Sequence, residues 1–190
     1  MIIVKLGGSL IDSEYLARWL DQLAALKTQK ICIVPGGGPF ADLVRMIDDK
    51  YRLDHKNAHA MAILAMQQYA LLLADKNPSY QCISSIQSLL KNPQGHYIWL
   101  PYDSVMQDCT IPNSWEVTSD SLAAWMACQC EAEHLCLIKS QDVDVHLYQA
   151  DTHGSLLDQY FPQMTHDYRG KISIYGASQI EQLVKTISNG

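Results

Sequence analysis

Apolar positions along this chain follow two rhythms. Short, nearly unbroken apolar runs rich in β-branched residues recur over residues 2–6, 30–35, 134–140 and 171–176, the pattern of strands covered on both faces. Between them the spacing becomes that of helices with one buried face. Residues 13–28 carry Tyr15, Leu16, Trp19, Leu20, Leu23 and Leu26, and residues 56–75 carry Met61, Leu64, Ala65, Leu71 and Leu72. Residues 40–50, 156–168 (interrupted by Pro162) and 178–187 read as further helices. Short strands at 81–83 and 96–102 flank a small helix over 86–90. Leu122-Ala123-Ala124-Trp125-Met126-Ala127 reads as a strong helix, capped by Ser119 or Asp120, with Asp120 favoured by the helix dipole. Strands alternating with helices predict an α/β fold on a mainly parallel sheet, as one domain over residues 1–190.

The first strand contains an anomaly. Lys5 interrupts its aliphatic run, and a buried ammonium is costly unless an anion meets it. Gly7 and Gly8 follow, permitting a tight turn, and Ser9 is placed to cap the next helix. The second strand ends in the same manner, with Gly36, Gly37 and Gly38, then Pro39 in a helix's first turn. The two units begin about 29 residues apart, the length of one right-handed βαβ crossover. Both glycine turns are therefore expected at one carboxyl edge of the sheet, where open α/β sheets bind ligands. Backbone amides beside a lysine suit an anion, most often phosphate. A second lysine, Lys139, ends the strand over 134–140, and Asp120 is expected at the same edge.

Charge and cysteine usage narrow the class of partner. The net charge is −6 and no basic stripe is visible, which argues against a nucleic-acid surface. No apolar run approaches the roughly 20 residues of a membrane span, and the N-terminus lacks a basic segment before a long apolar one. A cytoplasmic protein without membrane contact is the expectation. None of Cys32, Cys82, Cys109, Cys128, Cys130 and Cys136 forms a C-x-x-C. Reduced, mostly buried thiols fit better than a metal cluster of Cys128, Cys130 and His134, and no protein-held metal is expected. Arg45, Lys50, Arg52, His55, Lys56 and His59 concentrate positive character, diluted by Asp48, Asp49 and Asp54. His59 opens an otherwise apolar helix, where a ring needs a partner, either a ligand or a neighbour in the fold.

Neither the G-x-x-x-x-G-K-[ST] spacing nor a G-x-G-x-x-G fingerprint is present. Two glycine turns with Lys5, Lys139 and Asp120 at one sheet edge suit phosphoryl transfer, in which the protein chiefly positions groups and neutralises charge. An acid between two lysines holds them in place and keeps them protonated.

Val4-Lys5-Leu6-Gly7-Gly8-Ser9, Pro35-Gly36-Gly37-Gly38 and Thr118-Ser119-Asp120-Ser121-Leu122-Ala123-Ala124, in that order, resemble the amino acid kinase family. The resemblance implies an open αβα sandwich that transfers the γ-phosphoryl group of ATP, with Mg2+ carried by the nucleotide. It implies that Lys5 binds the transferring group, Gly7, Gly8 and Ser9 grip the ATP phosphates, Gly36, Gly37 and Gly38 face the acceptor, and Asp120 organises the lysines. Ile138-Lys139-Ser140-Gln141-Asp142-Val143-Asp144-Val145 resembles the uridylate kinase stretch. This makes Lys139 the second neutralising lysine and Gln141, Asp142, Val143 and Asp144 a nucleotide loop, although Val145 stands where relatives carry glycine. Arg45-Met46-Ile47-Asp48, Ala58-His59, Ser114-Trp115 and Phe161-Pro162 resemble the branch that makes methanofuran. That branch implies the phosphate acceptor [5-(aminomethyl)furan-3-yl]methyl phosphate, contacted by His59, Trp115, Thr118 and Ser119, with Glu116 the nearest carboxylate for its ammonium; the alternatives are UMP or isopentenyl phosphate as acceptor, or a non-catalytic nucleotide-binding scaffold on the same fold. The expected partners are this small molecule and further copies of the chain.

Overall fold

The computed structural model describes residues 1–143, 146–147 and 156–188. Its strands are β1 (Ile2–Leu6), β2 (Ile31–Pro35), β3 (Gln81–Ile83), β4 (His96–Trp99), β5 (His134–Ile138), β6 (His146–Leu147) and β7 (Lys171–Tyr175). Among the described residues they form one sheet in the order β3-β4-β2-β1-β5-β7-β6. Every pairing is parallel except β6 with β7, at one edge. The helices are α1 (Tyr15–Ala25), α2 (Gly38–Tyr51), α3 (His55–Lys76), α4 (Ile86–Lys91), α5 (Tyr102–Gln107), α6 (Ser119–Gln129), α7 (Phe161–Met164) and α8 (Ile180–Ser188). A short 3-10 helix spans Gly8–Asp12.

Side-chain alternation along β1 assigns the two faces of the sheet. Ile2, Val4 and Leu6 share one core cluster with Trp19, Leu20 and Leu23 of α1 and Leu183 and Ile187 of α8. Ile3 belongs to a second cluster, on the other face, with Leu122, Ala123, Met126 and Ala127 of α6. The alanines have little side chain to hold α6 away from the sheet, and it packs on β1, β2 and β5. Trp99 of β4 and Trp125 of α6 stack there, with ring centroids 5.7 Å apart. Lys5 follows Ile3 in the alternation and so stands on the α6 face. The sequence anomaly becomes a buried ammonium beneath the start of a helix.

Local expectations fail at several places. Residues 96–102 do not form one strand: β4 stops at Trp99, and Pro101 becomes the N-cap of α5. Proline has no N–H for the ladder and suits a helix start. Residues 156–168 do not form one helix either. Pro162 stands at the head of the four-residue α7 instead of interrupting a longer one. Ser9 caps nothing; it lies within the 3-10 helix, whose N-cap Gly7 offers no side chain.

Candidate active site

The two glycine turns touch. A Cβ placed on Gly8 would come within 2.1 Å of the Gly38 nitrogen, and one on Gly36 within 2.2 Å of the Gly8 nitrogen. Gly38 also holds a φ of 55°, which a side chain would strain. The amides of Gly7 and Gly36 are engaged by the sheet edge, donating to the Ile138 oxygen at 3.0 Å and the Leu6 oxygen at 2.8 Å. Gly8, Gly37 and Gly38 stand at the starts of helices, where N–H groups have no intrahelical acceptor. These three line a cavity of about 380 Å3.

Behind the turns lies a buried charge cluster. Asp120 Oδ2 accepts from Lys139 Nζ at 2.5 Å, and its Oδ1 lies 3.0 Å from Lys5 Nζ in ion-pair contact, off hydrogen-bond alignment. The side chains of Lys5 and Asp120 are 7% and 6% exposed, that of Lys139 17%. Burial alone would push the Asp120 carboxyl up; the two lysines reverse this and hold it below the ordinary range. Burial and the charge of Lys5 pull Lys139 down, against the support of Asp120. Asp120 is not the N-cap expected for it. Thr118 caps α6, its Oγ1 accepting from Asp120 N, which leaves the Asp120 carboxylate in the first turn, turned to the lysines. Hydrophobic replacements of buried ion clusters are often neutral or stabilising, so three charges here point to chemistry more than to fold stability.

The cavity brings together Ser9, Arg45, His55, His59, Trp115, Thr118 and Ser119, with Asp12 and Asp42 also on its wall. His59 is buried, burial pushes its pKa down, and its ring has no hydrogen-bond partner among the described residues. Lys5, Asp120 and Lys139 do not line this cavity; Asp120 follows Ser119, which does. Glu116, expected near an ammonium, is exposed and off the cavity wall. Trp115 is set by Asp48, a residue of the Arg45–Asp48 stretch to which no role was given: Asp48 Oδ2 accepts from Trp115 Nε1 at 2.8 Å, while Asp48 Oδ1 accepts from Leu53 N at 3.1 Å. The Arg45 guanidinium lies 4.9 Å over the Trp115 ring. An aspartate in the last turn of α2 opposes the helix dipole, and that mismatch is the signal for Asp48 the sequence contained.

On the other side of the charge cluster, residues 141–143 dock on the turn between β7 and α8. Asp142 accepts from Ser178 N at 2.9 Å and from Ser178 Oγ at 2.6 Å, bonds that hold its carboxyl low. Gln179 Nε2 donates to the Val143 oxygen at 2.6 Å. Gln141 is exposed, and Asp144 lies outside the described residues. Ser178 and Gln179 went unread because their partners are about 36 residues away. Asp158 was likewise missed; its carboxylate binds the first turn of α6.

Comparison with known proteins bears on the fold and the family. The profile of the amino acid kinase family matches residues 1–167. The [5-(aminomethyl)furan-3-yl]methyl phosphate kinase of Methanocaldococcus jannaschii is 30% identical over 161 residues, 83% of this chain and 73% of that protein. Among solved structures, the uridylate kinase from Archaeoglobus fulgidus superposes with a TM-score of 0.72 at 16% identity, covering 97% of this chain and 95% of that one. The UMP kinase from Bacillus anthracis gives 0.69 at 14% identity, covering 100% and 92%. At these identities the structural likeness bears on the fold alone; the profile and the furan-phosphate relative carry the assignment. The chain belongs to the amino acid kinase family and is a kinase.

Proposed function

We propose that this kinase uses ATP to phosphorylate a small phosphate monoester, giving a diphosphate, and that the acceptor is [5-(aminomethyl)furan-3-yl]methyl phosphate. The observation that carries the reading is the buried Lys5–Asp120–Lys139 cluster next to glycine turns that open on a cavity. The identity of the acceptor is supported by the printed activity of the 30% identical relative. An acceptor phosphate oxygen attacks the γ-phosphorus, the bond to the bridging oxygen breaks, and ADP leaves with that electron pair. Lys5 and Lys139 neutralise the charge spread over the transferring group, and Asp120 keeps both ammonium groups aimed at it. The N–H groups of Gly8, Gly37 and Gly38 grip phosphate oxygens, while Gly7 and Gly36 brace the turns through the sheet.

In this reading His59 and Arg45 receive the acceptor phosphate, Trp115 walls the furan ring, and Ser119 contributes its hydroxyl. Asp12 and Asp42, not Glu116, are the carboxylates that the cavity offers to an ammonium. Residues 141–143 form part of the nucleotide side. Both oxygens of Asp120 face lysines, and no group of three His, Cys, Asp or Glu able to hold a metal occurs among the described residues. Mg2+ carried with the nucleotide would supply further charge neutralisation. The proposed setting is the cytoplasm, and the proposed assembly a homo-oligomer.

ADP release measured with the furan phosphate, UMP, isopentenyl phosphate, acetylglutamate and aspartate tests the reading. Highest kcat/KM with the furan phosphate is expected. A tenfold preference for UMP, about 1.4 kcal/mol, removes the furan assignment and leaves the kinase. Turnover of carboxylates alone removes the phosphate-acceptor reading.

A further inference from the structure

Asp158 makes more hydrogen bonds than any other side chain near the site, and nothing in the proposed reaction uses it. Its Oδ2 accepts from Thr118 N at 2.9 Å, Thr118 Oγ1 at 2.7 Å and Ser121 N at 3.0 Å. Its Oδ1 accepts from Tyr160 N at 3.2 Å and, in a short bond, from the Ser121 hydroxyl. Every N–H and O–H that Thr118 and Ser121 possess is thus taken by one carboxylate. Capping accounts for only part of this: the Thr118 hydroxyl accepts from Asp120 N and Asp158 takes the Ser121 N–H, while its bonds to Thr118 and to the Ser121 hydroxyl satisfy no helix amide. The residues that Asp158 binds bracket Asp120, one two positions before it and one directly after.

The bracket has a geometric and an electrostatic consequence. Asp120 reaches both lysines only if the first turn of α6 holds its rotation above β1 and β5. Anchoring on both sides of Asp120 supplies that hold from a segment distant in sequence. The Asp158 charge also acts on Lys139. The charged groups around that ammonium are Lys5 from β1, Asp120 from α6 and Asp158, and both acids support its protonated form against burial. Thr118 in turn has no hydrogen left for a ligand. Ser119, whose hydroxyl makes no hydrogen bond among the described residues, is the donor that this turn can offer the cavity.

We propose that Asp158 is a positioning residue for phosphoryl transfer: it locks the first turn of α6 so that Asp120 spans Lys5 and Lys139. The inference rests on the kinase reading. Its test pairs turnover with a measurement that needs none. In Asp158→Asn, kcat is expected to fall roughly ten- to a hundredfold while both KM values change far less, as for a small misplacement of reacting groups. The basic limb of the kcat profile moves to lower pH, and NMR titration of labelled lysine finds the Lys139 ammonium deprotonating earlier than in the wild type. Wild-type kcat with only a lower melting temperature overturns the proposal, and so does an unmoved Lys139 titration. Because that titration needs no substrate, it decides whether Asp158 acts on the cluster even if every acceptor fails and the kinase reading falls. Should Asp158→Asn not fold, Ser121→Ala keeps the carboxylate and removes one anchor. A loss of kcat at unchanged melting temperature then supports the lock, and wild-type kcat overturns it.

Discussion

Lys5 and Lys139 hold the same carboxylate, yet their removal has different expected outcomes. Lys5 is buried almost completely, so Lys5→Ala strips a counter-charge from Asp120 in a dry setting, a loss on the order of 3–5 kcal/mol. Its melting temperature should fall along with its rate. Lys139 lies nearer solvent, and Lys139→Ala should lose roughly a hundredfold in kcat with a smaller change in melting temperature. Rate and melting curve measured on both variants check this, and wild-type kcat in Lys139→Ala removes that residue from the mechanism. His59→Ala should raise the acceptor KM and spare the ATP KM, because the ring lines the cavity and has no partner within the fold. Equal changes in both constants would make His59 a packing residue. Lys5 was legible from sequence because a charge inside an aliphatic run is an anomaly with few solutions. Asp120 was found but misplaced. A cap and a buried ion pair both call for a polar residue at a helix start, and two steps along the chain, which only packing sets, separate Thr118 from Asp120. Asp158 gave no local sign of its role, since its partners on α6 lie about 37 to 40 residues away.

The glycine turns are elements that work as a pair, and their fit is measurable. Gly8→Ala and Gly36→Ala each drive a methyl into the opposite backbone, at 2.1 and 2.2 Å, where no flexible side chain can give way. Each should part the turns, abolish turnover and lower stability by roughly 1–3 kcal/mol or more; denaturant melts and the ADP assay report both. Gly176→Ala acts elsewhere, because its Cβ would meet the Asp142 Cα at 2.2 Å and lift residues 141–143 from the β7–α8 turn. It should raise the ATP KM while the acceptor KM holds, and the reverse pattern would move this turn out of the nucleotide side. Buried strands and glycine punctuation make the turns legible in the sequence, because each is a local signal. The loop–turn docking was not legible. It depends on strands β5 and β7 becoming neighbours, and nothing in Asp142 or Ser178 alone announces a partner.

Across the whole molecule, buried histidines set the response to acid. Burial, with help from the charge of Lys171, pushes His134 down to about 4, and burial also lowers His59 and His96. The unfolded chain therefore binds more protons than the folded one between about 4 and 6.5. Stability from the neutral His134 is fully present above about 6.5 and is lost as pH falls through about 4. Melting temperature should decline over that interval, and His134→Gln should flatten the decline; an unchanged slope would clear His134 of the effect. Leu43, Met46 and Tyr51 of α2 and Leu64 and Leu71 of α3 leave large apolar side chains exposed. Light scattering should find a mass above one chain that Met46→Glu reduces, and a monomer in both would remove the homo-oligomer. The position of β1 has a consequence during synthesis. It is made before both of its neighbours, and its partner on one side, β5, pairs Ile2 with His134. While the ribosome makes everything in between, that side of β1 is an open edge, able to recruit a strand from another nascent chain. Lys5 lies within that edge with no counter-ion yet made, and a charge there discourages pairing. Until its own partner emerges, the ammonium proposed to steady a phosphoryl group serves as a gatekeeper against aggregation.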